Sequence, residues 1–397
     1  MELSDHQRQG IKSLLQPGLD WPKLLELAAW HRVSAILQLH LGQPDLAALV
    51  PDAAQRQLQA ICRDNAARGL YLRASLRRVL DTLHAADIPV VVLKGAALAE
   101  TVYDDPALRP MGDLDIMVPE PDLTRTDELM RGLGYAPYVS TEIQAELREH
   151  HHHYPALKSP DGVIKLEIHR HVIKRESSLY FDLAGFWRRA ITQSIAGTDA
   201  LVLAPEDLLL HLCLNFFQDR QDHSNGALSQ VVDVAEVLRC YAAVLDWDRF
   251  VTEVRRHQLA GPVFCALLTA RNLLDAPVPD AVRAALEPGD FDPTTAALFI
   301  NRRVLDSEPW LAHRLVDSRA EYTWRNLMRG ALRRFTTGDS STADLAEKYG
   351  NRGGSRWAYW LYLRQFGEKA GLLGRVMLRP RELRDDLQLD RWLHSLQ

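Results

Sequence analysis

The chain has 397 residues, a formal net charge of −5, 47% hydrophobic residues and 25% charged residues. That length suits two domains, or one domain with long helical additions, and the proportions exclude disordered and fibrous classes. The acidic balance also argues against a general nucleic-acid binder, because neutralising a phosphate backbone needs a broad basic surface.

Residues 1–86 read as helical. A helix is expected over 21–41, capped by Asp20, with Pro22 in its first turn and Leu24, Leu25, Ala28, Ala29 and Val33 at helical spacing. After the break at Pro51 a second runs over 52–86. The period then changes. Residues 89–93 (PVVVL) form an unbroken β-branched run, as a buried strand requires, and Lys94-Gly95 interrupts it before a short Ala-rich helix ending near Tyr103.

A loop leads to a second strand over 113–118, a helix follows over 121–133, and strands over 154–158 and 163–169 flank the turn Ser159-Pro160-Asp161-Gly162. From Pro205 the pattern is helical again, over 206–218, 227–243, 247–257 and 262–274. The last hundred residues hold a loop with Gly350, Gly353 and Gly354, then an aromatic, basic stretch over 356–378. The predicted class is α+β: a small mixed β-sheet core at 87–200, an N-terminal helical region at 1–86 packed on it, and a large C-terminal helical region at 201–397.

Cys62, Cys213, Cys240 and Cys265 form no CxxC pair and sit among apolar neighbours, so they read as buried thiols of a reducing compartment. The N-terminus shows no apolar leader segment, and no run approaches the roughly 18 apolar residues of a membrane span. A cytoplasmic protein without a transmembrane segment is expected.

The chemical signal is LRPMGDLDIMV, residues 108–118. On a strand, Asp113 and Asp115 share one face while Leu114, Ile116 and Val118 share the other. Two carboxylates held that close repel unless a cation lies between them, and hard oxygen ligands suit Mg²⁺ or Mn²⁺. Taken alone, the pair also fits a surface turn with two solvated aspartates. Upstream, Lys94-Gly95 stands at a strand-to-helix junction, where helix-start amides and an ammonium can hold phosphate oxygens. Downstream, VIKLEIH alternates so that Lys165, Glu167 and His169 share a face. Glu167 would supply a third carboxylate, as metal ligand or proton acceptor.

This series resembles the DNA polymerase beta-like nucleotidyltransferase superfamily and, within it, the family of uncharacterised nucleotidyltransferases. The resemblance rests on Leu93-Lys94-Gly95, the loop arginine Arg109, Gly112-Asp113-Leu114-Asp115 and Glu167-Ile168-His169, and extends to Pro205-Glu206-Asp207, Val232-Asp233-Val234-Ala235 and Asp246-Trp247. It covers roughly residues 20 to 280. Two departures stand out: Lys94-Gly95 replaces the superfamily's usual Gly-Ser, and Glu167 replaces a third residue that is often Asp.

The resemblance implies transfer of a nucleoside monophosphate from an NTP, with ATP the expected donor, to a hydroxyl-bearing acceptor that is a small molecule, peptide or protein. Asp113, Asp115 and Glu167 would be catalytic and metal-binding. Lys94, Gly95, Arg109, Gly112 and His169 would meet the nucleotide phosphates. The alternatives on the same fold are a non-catalytic nucleotide- or partner-binding module and an RNA-directed terminal nucleotide-adding enzyme. Sequence support for the last is confined to the basic excess between residues 302 and 386.

Four further features carry two readings each. His150, His151, His152 and His153 cannot all converge on one ion from an extended chain, and a strand edge is the plainer role. Arg109 suits either triphosphate or an ion pair with Asp104 or Asp105. His211, Asp219, Asp222, His223 and Asp233 suit an acceptor pocket or, more plainly, helix caps and surface. Trp357, Tyr359, Trp360, Tyr362 and Phe366, with Arg356 and Arg364, suit a membrane or partner surface or, more plainly, core packing.

Overall fold

The computed structural model describes residues 3–15, 17–138, 154–172, 182–218, 227–289, 291–300 and 304. The chain divides into two compact units, one of residues 1–219 and 224–287, the other of residues 220–223 and 288–397. The His150–His153 run, Asp219, Asp222, His223 and the aromatic stretch from Arg356 lie outside the described residues. In the second unit the described part forms a helix, Pro293–Ile300, capped by Asp292, whose carboxylate accepts from the Thr294 and Thr295 amides at 3.1 Å.

The first unit is α+β. Its N-terminal helices are α1 (Asp5–Leu14), α2 (Trp21–Trp30), α3 (Ser34–Leu41), α4 (Pro44–Ala47) and α5 (Asp52–Ala85). The single helix expected over 21–41 is broken at Arg32, where φ is +56°. The Val33 amide bonds back to Ala28 and the Arg32 amide to Ala29, a left-handed closure of α2 made without glycine. α5 runs as expected. Leu72, Leu76, Val79, Leu80 and Leu83 recur on one stripe and are buried, and Ile88 N–H to Leu83 C=O closes its end.

That stripe packs on a sheet made of β1 (Val91–Val92), β2 (Asp113–Met117), β3 (Ala136–Pro137), β4 (Leu157–Lys158), β5 (Lys165–His169), β6 (Ile191–Ile195) and β7 (Thr198–Val202). The strand order is β3-β4-β5-β2-β1-β7-β6. β1 is antiparallel to β2 and parallel to β7, and β2 is parallel to β5. Val90, Val92, Leu114, Ile116, Leu166 and Ile168 join the α5 stripe in one core. Removing Leu76 to Ala would cost about 2–5 kcal/mol there.

The β6–β7 hairpin was not foreseen. It turns on Ala196 (φ +54°) and Gly197 (φ +79°), the paired left-handed conformation of a tight hairpin. Helices α6 (Lys94–Thr101) and α7 (Leu123–Gly132) belong to the sheet region. α8 (Leu183–Arg189), α9 (Pro205–Gln218), α10 (Ala227–Tyr241), α11 (Trp247–Arg256), α12 (Ala260–Leu274) and α13 (Asp280–Leu286) complete the unit. Cys213 and Cys265 are buried as expected, but Cys62 is half-buried and Cys240, on the outer face at the end of α10, is exposed. None of the described helices is long and apolar enough to cross a membrane.

Candidate active site

β2 and β5 lie side by side in a register that pairs Asp113 with Lys165, Asp115 with Glu167 and Met117 with His169. Because side chains two residues apart share a face, one face of the sheet gathers Asp113, Asp115, Lys165, Glu167 and His169 while the apolar positions between them feed the α5 core.

Asp115 is the hub. It is only 4% exposed, accepts from Lys94 Nζ at 2.8 Å, and has His169 Nε2 2.8 Å from the same oxygen. Burial pushes its carboxyl up, but the Lys94 ammonium and the His169 bond outweigh burial and hold it below the ordinary carboxylate range. For His169, burial and Lys94 pull the imidazole down, and its bonds to Asp115 and Glu167 more than offset them, leaving its pKa raised. Lys94 starts α6 with φ +45°, a left-handed backbone that a lysine rarely adopts.

Glu167 has Lys165 Nζ at 2.5 Å from one oxygen and His169 Nε2 at 3.6 Å from the other. Asp115, Glu167 and His169 each offer one ligand atom within 4.8 Å of the others, so this buried trio could hold a metal ion. Asp113 falls outside the trio. Its carboxyl is pushed up to about 6, first by burial and then by the charges of Asp115 and Glu167.

A cleft opens over Asp113 and Asp115, with Arg32, Gly95 and Gly112 among its walls and Asn215, Ser229 and Asp233 contributed by α9 and α10. Glu167 and His169, on the neighbouring strand β5, are not among the residues lining it.

Arg109, expected to meet phosphate or to pair with Asp104 or Asp105, lines the cleft and forks onto a different aspartate, Asp233: Nε and Nη2 donate to the two carboxylate oxygens at 2.7 and 2.8 Å. Tyr103 donates to the same carboxylate at 2.7 Å, and Arg109 Nη1 donates to Pro110 C=O at 2.6 Å. Burial would pull the guanidinium down, and Asp233 more than offsets it, so Arg109 titrates above its ordinary range. Asp233, for which a cap or surface position was the plainer reading, is thus a buried anchor between α10 and the loop before β2.

His211 of α9 is also buried, 1% exposed, rather than a surface residue. Burial, then the charges of Lys94 and His169, push its pKa down to about 3, against weaker upward pulls from Asp115 and a backbone bond with Val172.

Residues 17–275, more than half of the chain, match the family described as uncharacterised nucleotidyltransferase. The chain belongs to this family. A solved structure of an antigenic nucleotidyltransferase-like protein from Paracoccidioides brasiliensis is similar at 16% identity, over 48% of this chain and 91% of that one, with a TM-score of 0.30. No curated protein matches the chain.

The outlying parts of the nucleotidyltransferase resemblance have structural work in the fold. Asp207 accepts two bonds from Arg189, at 2.7 and 2.8 Å, tying α9 to α8. Asp246 caps α11 through the Arg249 amide, and its own amide donates to Glu206 at 2.9 Å. Arg32, which carries no motif, lines the cleft without any signal in the sequence that would place it there. The break in the α2–α3 helix at Arg32 has no glycine to mark it and is invisible in the sequence.

Proposed function

We propose that this nucleotidyltransferase is a metal-dependent enzyme that moves a nucleoside monophosphate from an NTP, ATP being the expected donor, to a hydroxyl-bearing acceptor. The observation that carries the reading is the gathering of Asp113, Asp115 and Glu167 on one face of two adjacent parallel strands, with both aspartates lining the cleft. The donor set fits a hard divalent cation, since the ligands are oxygens and Asp113 is pushed up to about 6 by burial and by its acidic neighbours, a strain that a bound cation relieves. Asp113 and Asp115, with Glu167, would hold Mg²⁺ or Mn²⁺, which when bound neutralises polyphosphate charge and acidifies an attacking hydroxyl.

The chain's own residues then divide the work. Lys94 and the Gly95 amide, at the start of α6, face phosphate oxygens. The acceptor oxygen bonds to the α-phosphorus, the bond from that phosphorus to the bridging oxygen breaks, and pyrophosphate leaves. Glu167 takes the hydroxyl proton. His169 and Arg109 act as positioning residues, because each is committed to a carboxylate: His169 orients Asp115, and Arg109 fixes the loop before β2 to Asp233.

The test is incubation of the purified chain with Mg²⁺, each labelled NTP and its native extract. Pyrophosphate release and an adduct heavier by one nucleoside monophosphate are expected. Saturable NTP binding without release would move the reading to a non-catalytic binding module, and a ladder on RNA would move it to terminal nucleotide addition.

A further inference from the structure

We infer that Arg32, from the N-terminal helical region, is a phosphate-binding residue of the cleft that takes oxygens of the NTP polyphosphate and of the departing pyrophosphate; this rests on the nucleotidyltransferase reading above.

Three observations converge on it. The first is the disposition of charge. Lys94, Arg109 and Arg32 all line the cleft, but Lys94 already pairs with Asp115 and Arg109 with Asp233. The Arg32 side chain makes no ion pair or hydrogen bond among the described residues. Asp113 lines the same cleft and feels the charge of Arg32, yet it is not an ion-pair partner. An anion entering the cleft therefore meets one guanidinium that is not already neutralised.

The second is where that guanidinium lies. A Cβ built on Gly112 would come within 3.3 Å of Arg32 Nη2, 3.4 Å of Nη1 and 3.5 Å of Cζ. The flat group thus rests over the residue that immediately precedes Asp113, and the absence of a side chain at 112 makes room for it. A guanidinium presents a planar fork of donors matched to phosphate oxygens, whereas a lysine would present a point charge.

The third is the backbone. Arg32 has φ +56° at the closing turn of α2, where Gly is the preferred residue and a branched or long side chain brings a steric cost. Nothing in that turn needs an arginine, since its hydrogen bonds are made by main-chain groups of Ala28, Ala29, Arg32 and Val33. The side chain is explained by what it reaches. It also gives the N-terminal helices a part in the site beyond covering the sheet, and pyrophosphate, which gains charge as it leaves, is the group that most needs such a cation.

Arg32→Gly replaces a strained residue with the one its turn prefers, so the melting temperature is expected to stay level or rise. In the presence of Mg²⁺, NTP binding is expected to weaken roughly 10- to 100-fold, and inorganic pyrophosphate should lose potency as a competitor by a similar factor. Nucleoside monophosphate binding should change much less, and Arg32→Lys should restore part of the loss. Unchanged NTP and pyrophosphate binding in Arg32→Gly, with wild-type binding intact, overturns this inference alone. A lowered melting temperature with equal loss for all ligands also overturns it and marks a structural residue. Wild-type protein that binds none of the NTPs overturns the functional reading and this inference with it.

Discussion

Two clusters of buried charge border the same cleft, and they are balanced in opposite ways. Arg109, Asp233 and Tyr103 form a closed set: one guanidinium, one carboxylate, two parallel bonds and a phenol donating to the same acceptor. The cluster on β2 and β5 is open. Lys94 and His169 are drawn to Asp115 and Lys165 to Glu167, while Asp113 is left with its carboxyl pushed up to about 6. A buried pair whose hydrogen bonds are complete holds elements in place and has little left for a ligand. A cluster with unspent negative charge is poised for a cation. On the proposed function the first cluster would serve as scaffold and the second would carry the chemistry, although both are built from the same residue types.

The largest expected effects test the closed cluster. Asp233→Ala strands a buried guanidinium and should cost about 3–5 kcal/mol of stability, read from denaturant unfolding. The joint replacement Arg109→Met with Asp233→Leu should recover most of that loss, because an apolar pair of similar volume needs no charge compensation. If the double variant is stable and still binds NTP, Arg109 is scaffold. Stable protein that has lost NTP binding would return Arg109 to the phosphate-contacting role that the sequence suggested.

Next in size is turnover at the open cluster. Asp113→Asn and Asp115→Asn should each reduce Mg²⁺-dependent pyrophosphate release by on the order of 10²–10³, the scale of losing one preorganised electrostatic contact. The two should part company in stability: Asp115→Asn weakens the bonds to Lys94 and His169, whereas Asp113→Asn removes a repulsive charge. Full activity in either variant would sink the metal-binding assignment.

What was legible in the sequence follows the same division. Asp113, Asp115 and Glu167 could be placed on one sheet face because strand alternation is local: five residues of β2 and five of β5 state it. The Arg109–Asp233 pair joins positions 124 apart, and nothing near either residue names the other. The β6–β7 hairpin escaped notice for a local reason. β6 is ITQSI, mostly exposed, without clean apolar alternation, and its turn is Ala-Gly rather than the stronger Asn-Gly signal. Arg32 escaped because its left-handed backbone is carried by a residue type that does not advertise it.

Asp113 also yields a pH prediction for metal-free protein. Its carboxyl rises from an ordinary 3.8 to about 6 on folding, so the folded state holds this proton more tightly than the unfolded state. Below pH 3.8 the group is neutral in both states and carries no penalty. As pH rises through the interval to 6 the unfolded chain ionises first, and stability falls by on the order of 1–3 kcal/mol, a deficit that persists at pH 7. In chelator, Asp113→Asn should therefore melt higher than wild type at pH 7 and level with it near pH 4. Equal melting at both pH values would show that the carboxylate is relieved within the protein and that the cluster is not open.

The smallest effect separates the two clusters most finely, because it moves a guanidinium without removing it. Gly112→Ala places a methyl 3.3 Å from Arg32 Nη2, and Gly95→Ala places one 3.6 Å from Arg109 Nη1 and 3.2 Å from Met111 Cγ. Neither glycine has a left-handed φ, so the alanine backbone is unstrained at both positions. At 112 the atoms that must give way are the end of a flexible, unpaired side chain, so the cost in stability should stay within about 0.5 kcal/mol. The displaced guanidinium should nevertheless lower NTP affinity about threefold to tenfold, since small shifts of a positioning group are felt in binding and rate. At 95 the methyl presses on Met111 and on an Arg109 side chain already fixed to Asp233, where yielding is harder, so the cost should appear as stability. Titration calorimetry with Mg²⁺-NTP beside thermal melts of the two variants reads both quantities. Affinity lost at 112 and stability lost at 95 would uphold the division between a working cation and a structural one; the reverse pattern would exchange the roles of Arg32 and Arg109.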